Sequence, residues 1–336
     1  MPTLPTLAAG CILASLVLYA LTGGADFGGG VWELLNHGPR ADARKRLIVH
    51  AIGPVWETNH VWIIVVVVVL FTAFPKAFAV LSTALFVPLT LVLAGIILRG
   101  SAFAFHSHHP HEEGGTGWWG GVFAGASLFT PILLGVVLGA VSTGAIRGEE
   151  LSSIGGGTDA WLAPFPLSVG GMTLASFAYL AAVYLILETD DPELKEDFRR
   201  RAMGALALVS LFSAAIPFLS PGGAPAFHRA LTGSWWSVPL MGANALAALG
   251  SAVSLAYRAY PLARACAASQ VMLLLVGWGM AQHPYLVRPD LAISSSAASP
   301  EMLRLLLLIL AAGGVLLFPA IYLLFRVFKK KALFGR

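Results

Sequence analysis

Four residues stand where charge or polarity is costly: Asp26, Glu33, Glu57 and His60. Glu57 lies in Pro54-Val-Trp56-Glu-Thr-Asn59-His60-Val-Trp62, directly before the apolar run Ile63 to Leu70. An ionisable group in an apolar span is a functional-site hypothesis by default, because lipid does not solvate charge. Such a carboxylate can exchange protons, ligate a metal or bond a neighbouring helix. Asp26 and Glu33 are seven residues apart, on one face of the preceding apolar stretch. With Glu57 they form a descending series of acids, as proton entry from one side of a membrane would need. The structural alternative is a Glu33 in the headgroups and an Asp26 paired locally.

Metal chemistry is weaker. Glu57 and His60 spell Glu-x-x-His, but a di-iron bundle needs two such motifs and two further glutamates. Only one is present, and no metal site is expected. His50, His60 and His283 lie in or at the end of spans; nothing in their spacing requires a haem. His106, His108, His109, His111, Glu112 and Glu113 read as a solvated loop. The glycines from Gly23 to Gly30 follow no strand and precede no Lys-Ser/Thr, so they are not a phosphate loop. Gly24 and Gly28 fit close packing of small residues between helices.

The elements that position these groups are membrane spans. Of 336 residues, 57% are hydrophobic and 11% charged, with mean hydropathy +0.78. A soluble domain has about 25% charged residues, so soluble folds are set aside. No basic patch is interleaved with aromatics, so nucleic acid is not an expected partner. Residues 1–7 carry no Lys or Arg, and the first span is expected to be retained, not cleaved. Cys11 and Cys266 read as packing residues. The length needed per span predicts an all-α polytopic membrane protein with nine transmembrane helices in one domain, 1–336: Leu7–Trp32, Leu47–Phe74, Ala77–Leu98, Trp118–Gly144, Trp161–Leu187, Ala202–Ser220, Trp235–Tyr257, Pro261–His283 and Met302–Phe328.

Within the second span, a helix begun near Arg46 puts Glu57 roughly 16 Å along its axis, near the midplane. His50, Glu57, His60 and Ile64 would then lie close to one face. Residues 188–201 read as a solvated connector. Trp118, Trp119, Trp161, Trp235 and Trp236 suit an interfacial belt. One side collects Arg40, Arg44, Lys45, Arg46, Arg99, Lys195, Arg199 to Arg201, Arg258, Arg264 and the basic tail. The other holds only Lys76, Arg147, Arg229, Arg288 and Arg304. The positive-inside rule then predicts the N-terminus outside and the C-terminus in the cytoplasm.

Several stretches, in order, resemble subunit II of the cytochrome bd family of terminal oxidases. Gly-Gly-Ala-Asp26-Phe-Gly-Gly-Gly is similar to the family's Asp-Gly-Phe-Asp-x-Gly segment. Pro54-Val-Trp56-Glu57-Thr-Asn59-His-Val-Trp62 resembles its Pro-x-Trp-Asp/Glu-x-Asn-x-x-Trp segment, the most specific match. Leu70-Phe-Thr-Ala-Phe-Pro75, and Arg99-Gly100 followed by Phe103 and Phe105, match two more. The match is best within 20–110.

The resemblance implies two four-helix bundles plus one peripheral helix. It implies a complex of the bacterial cytoplasmic (inner) membrane that oxidises quinol and reduces dioxygen to water. This chain would bind no redox cofactor; haems b and d would sit in the partner, subunit I, which meets the quinol pool. Room remains for a structural quinone or lipid and for a small accessory subunit. Subunit II would support assembly and contribute to proton delivery and oxygen access. Glu57 and Asp26 match proton-path acids, Trp62 matches the tryptophan near the oxygen entrance, and His60 and Glu33 are candidate helpers. Pro54, Trp56, Asn59, Arg99, Gly24 and Gly28 belong to motifs or packing. Two family acids are absent: Gly23 and Ala104 stand in their places. The competing expectation is a stand-alone proton-coupled transporter using Glu57, which would show inverted repeats and broken helices.

Overall fold

A computed structural model describes residues 3–53, 56–108, 118–147 and 158–328. The helices are α1 (Leu4–Leu34), α2 (Ala41–Ile52), α3 (Trp56–Asn59), α4 (Val61–Ala73), α5 (Pro75–Ala84), α6 (Phe86–His108) and α7 (Trp118–Thr143). They continue as α8 (Pro164–Leu187), α9 (Pro192–Gly223), α10 (Pro225–Gly233), α11 (Ser237–Ala256), α12 (Tyr260–Gln282) and α13 (Pro300–Phe328). Among the described residues, nine helical segments are long and apolar enough to cross a membrane. Proline occupies the first turn of α1, α5, α8, α9, α10 and α12, where its missing N–H breaks no intrahelical bond. One antiparallel hairpin interrupts the all-helical pattern, β1 (Tyr285–Val287) with β2 (Leu291–Ala292).

The second span is not one helix. It stops at Ile52, and the spanning segment is Trp56–Ala73, made of α3 and α4. Glu57 is therefore at the start of that segment, not eleven residues into a helix from Arg46. The shared face of His50, Glu57, His60 and Ile64 disappears with the helix. The physical reason lies in α2: Ala-Asp-Ala-Arg-Lys-Arg is too charged to enter hydrocarbon. The third span also shifts, from Ala77–Leu98 to Phe86–Phe105, because Pro75–Ala84 forms a separate short helix. The expected connector at 188–201 is largely helix: α9 runs 32 residues, roughly 48 Å. That exceeds a hydrocarbon core of about 30 Å, so its charged first turns project from the membrane.

Those first turns are tied down. The Asp191 side chain caps α9, accepting from the Glu193 and Leu194 amides. Arg40 donates to both oxygens of Asp197 (3.0 and 2.7 Å) and to Glu193 (2.8 Å). These bonds, Asp197 first, hold the Arg40 guanidinium above its usual range. Arg44 also donates to Asp197, at 2.7 Å, and to Asn36 and the His37 carbonyl. The start of α2 is thereby clamped onto α9.

Helix α1 is central: it packs on α4, α7, α8, α12 and α13. Helix α8 packs on α1, α7, α9 and α12, while α13 rests on α1 and α4. Tyr19, Phe27, Trp32, Phe177, Tyr179 and Phe198 are buried in the shared core. The indole of Trp32 donates to the Ala178 carbonyl at 2.7 Å. Between α1 and α8 the backbones nearly touch. A Cβ on Gly28 would lie 2.0 Å from the Phe177 carbonyl oxygen, and one on Gly24 would lie 2.6 Å from the Phe177 ring. In lipid, where no hydrophobic force drives helices together, such close packing supplies the association energy.

Gly28→Ala should therefore lower the thermal unfolding midpoint of the purified protein, at a cost of about 1–3 kcal/mol for overpacking. The control is Gly121→Ala in α7, where nothing lies within 4 Å. It should hold or gain stability by about 0.5–1 kcal/mol. Equal behaviour of the two variants would refute the close-contact account.

Candidate functional site

The site grows from three elements that meet on α1. The single turn α3 presents Asn59 towards α1, and its side-chain amide donates to Asp26 Oδ2 at 2.5 Å. Both residues are buried. His60, next in the chain, turns to the same helix: its Nδ1 lies 3.5 Å from the Tyr19 hydroxyl, and its ring packs on Tyr19 and Phe27. From α6 comes Arg99, only 1% exposed. Its Nε donates to Ser127 Oγ on α7 at 3.2 Å. Its guanidinium lies 4.7 Å from the Phe27 ring centroid and 5.1 Å from that of Phe123. The acids Asp26 and Glu33 of α1 lie in electrostatic reach of it. Nη2 of Arg99 has no hydrogen-bond partner among the described residues.

Burying one charge is costly unless another opposes it and the remaining polar atoms are bonded. Asp26 has Asn59 as donor and Arg99 as opposing charge. Arg99 has Ser127, two aromatic faces and the acids. The arrangement is a buried, partly satisfied polar set that crosses α1, α3, α6 and α7. It can hold a proton-exchanging carboxylate in an apolar wall.

The expected site residues divide. Asp26, Asn59, His60 and Arg99 come together, with the partly buried Glu33 in electrostatic reach of Arg99. Glu57 does not join them. It is exposed on the surface of this chain, although it shares the turn α3 with Asn59. Trp56 packs on Phe103 (5.7 Å between rings) and Trp62 on Phe318 of α13 (5.9 Å). Pro54 lies outside the described residues, as do His109, His111, Glu112 and Glu113. Gly23 has a local reason: a Cβ there would lie 2.9 Å from Tyr19 Cε2. The Tyr19 ring occupies the space in which an acid at this position would begin.

Arg99 was expected at a span end, among loop cations. The shift of the third span to Phe86–Phe105 puts it inside the helix instead. The signal was available, since Arg99 stands alone between Ile96-Ile97-Leu98 and Phe103. Tyr19 and Ser127 gave no signal, because neither type nor spacing marks them out. Among the described residues, no group of three or more His, Cys, Asp or Glu side chains could hold a metal. Cys11 and Cys266 are free thiols.

The fold and this buried set define a multi-pass α-helical membrane protein with ionisable groups in its interior. The family described as "Cytochrome bd terminal oxidase subunit II" matches residues 4–328, and the chain belongs to that family. It is a subunit of a bacterial respiratory terminal oxidase. One similar protein is the putative cytochrome bd menaquinol oxidase subunit II of Bacillus subtilis, 24% identical over 93% of this chain and 92% of its own length. Another is the cytochrome bd-I ubiquinol oxidase subunit 2 of Escherichia coli, 29% identical over 52% of this chain and 46% of its own length. The structure of bd oxidase from Geobacillus thermodenitrificans has a chain of the same fold. Its TM-score is 0.83 at 24% identity, over 99% of this chain and 100% of that one.

The buried set makes a separate prediction. Arg99→Leu leaves Asp26 without its opposing charge and should cost about 3–5 kcal/mol. Adding Asp26→Asn should recover part of that loss, because the uncompensated charge is gone. Thermal unfolding of the wild type, both single variants and the double variant measures the coupling. Strictly additive losses would show that the two charges do not depend on one another.

Proposed function

We propose that this chain is the haem-free subunit of a bd-type oxidase that oxidises quinol and reduces dioxygen to water. In this reading it supports assembly of the haem-bearing subunit I and delivers protons towards it. The carrying observation is the hydrogen bond from Asn59 to the buried Asp26, on the same short turn that exposes Glu57. One face of α3 bonds an internal acid; the other offers an acid to whatever covers the chain there. A proton moving from the basic side would pass the Glu33–Asp26 face of α1 and leave through Glu57. His60 and Tyr19 stand beside that route. Reduction of dioxygen consumes protons, and carboxylates set in an apolar wall can gain and lose them.

Quinol as electron donor is supported by the names of the two relatives, a menaquinol and a ubiquinol oxidase. The contacts of α1, α4, α6 and α7, and of α8, α9, α11 and α12, suit two four-helix bundles with α13 at the periphery. The cation distribution supports an outside N-terminus and a cytoplasmic C-terminus. It does so without Arg99, which is interior. Trp62, buried against α13, is the residue assigned to oxygen access. The whole chain acts as one transmembrane unit. The break after Ile52 is a feature a proton-coupled transporter would share, but family membership favours the oxidase.

Glu57→Gln in the intact complex should reduce oxygen consumption by about 100-fold, the low end of what a positioned proton-transfer group contributes. Haem content and co-purification of subunit I should be unchanged. Wild-type turnover in that variant would remove Glu57 from the proton route.

A further inference from the structure

Two arginines stand at the end of the bundle away from the Arg40–Asp197 clamp. Helix α9 starts at that clamp and ends at Gly223, and α10 follows at the far end. Helix α11 runs back until Arg258 reaches Glu196 of α9 (3.6 Å), so α12 ends at the far side again. Arg229 is exposed on α10. Arg288 lies on the turn between β1 and β2, just past α12. Helix α10 packs on α12, and α12 on β1.

The Arg288 guanidinium is fixed in place. Its Nη2 donates to the Ala281 and His283 carbonyls at 2.5 and 3.2 Å, closing carbonyls that a helix C-terminus leaves open. Its central carbon lies 5.1 Å from the Tyr285 ring centroid. Those hydrogen bonds use one nitrogen. Nε is buried without a partner among the described residues, and Nη1 donates to none of them. Burial first, and the like charge of Arg229 as well, hold Arg288 below the usual arginine range. Asp290, two residues on, bonds Arg147 at 3.4 Å. Like charges in reach of each other repel, and a half-buried, fixed guanidinium cannot swing away into water. An anion between the two removes that cost.

The level of the pair in the membrane selects the anion. Trp235, 87% exposed, and Trp236 follow α10 directly. Tryptophans at span ends sit among the headgroups, and Phe218 and Val238 nearby in the chain are also exposed. Arg229 and Arg288 therefore lie where phosphates lie, at the polar rim and outside the apolar interior of the helices.

We propose that Arg229 and Arg288 form a phosphate-binding site at this rim, in which one phosphate group accepts hydrogen bonds from both guanidiniums. Planar guanidiniums match phosphate oxygens in geometry as well as charge. A phospholipid headgroup and free inorganic phosphate share this chemistry.

The test uses the complete complex, delipidated in neutral detergent. Its unfolding temperature is followed against dioctanoylphosphatidylglycerol, dioctanoylglycerol or inorganic phosphate at constant ionic strength. A ligand of the folded protein raises that temperature with occupancy. Dioctanoylphosphatidylglycerol should stabilise the wild type, and dioctanoylglycerol, which lacks the phosphate, should not; an equal effect of the two overturns the proposal. A matching response to inorganic phosphate identifies the free ion as the source, and its absence identifies the headgroup.

Arg229→Gln should raise the apparent Kd for the phosphate ligand about tenfold, the scale of one charge-assisted hydrogen bond. Without ligand it should be at least as stable as the wild type, because a like charge is gone. Arg304→Gln removes an exposed cation from the first turns of α13 at the same end and should respond as the wild type does. Equal responses of wild type and Arg229→Gln overturn the site. So does an equal loss in Arg304→Gln, which means diffuse attraction. A fall in the ligand-free stability of Arg229→Gln also overturns it, because a carboxylate of the complex then already pairs with Arg229.

Discussion

A guanidinium with 1% exposure, held between two phenylalanine rings, constrains the first half of this structure. Arg99 cannot be solvated there, so the surrounding helices must supply what water would. Ser127 on α7 provides an acceptor, Phe27 and Phe123 provide π faces, and the acids of α1 provide charge. These demands fix α6, α7 and α1 against one another. Asp26 in turn draws in Asn59 and so sets the position of α3.

The same helix carries the opposite constraint on its other side. Gly24 and Gly28 let α1 approach α8 until a Cβ would collide with the Phe177 backbone. Gly30, on the α7 side, leaves room for the Ser127 hydroxyl that Arg99 uses; a Cβ there would lie 2.1 Å from it. The glycine-rich stretch thus does two jobs. It admits one neighbour by close packing, and it makes space for the polar atoms that satisfy a buried cation. Both follow from the lack of water and of a hydrophobic driving force within lipid.

The break after Ile52 changes how Glu57 is understood. In a continuous helix it would be an isolated charge at mid-depth. In the structure it opens a spanning segment on the outer surface of the chain, with Asn59, two residues on, bonding the internal acid. This lowers the cost of placing a carboxylate there. Arg99 makes the complementary change, from loop cation to buried group.

Composition and hydropathy alone determined that the chain is a bundle of membrane spans, and nine candidate spans follow from length and apolarity. Ordered motifs around Asp26, Glu57 and Arg99 were enough to mark the family, because those residue types are too costly in lipid to stand there by accident. Tertiary structure decided the rest. It decided where helices stop: α2 ends at Ile52 and α5 at Ala84, breaks that an apolar count averages away. It decided that Asp26 meets Asn59 and Arg99 rather than Glu57, because helix rotation and the break at residue 53 set which faces meet. It also brought Arg229 and Arg288, far apart in the sequence, to one rim of the bundle. Residues far apart in the chain become partners only through packing, and that information is not local.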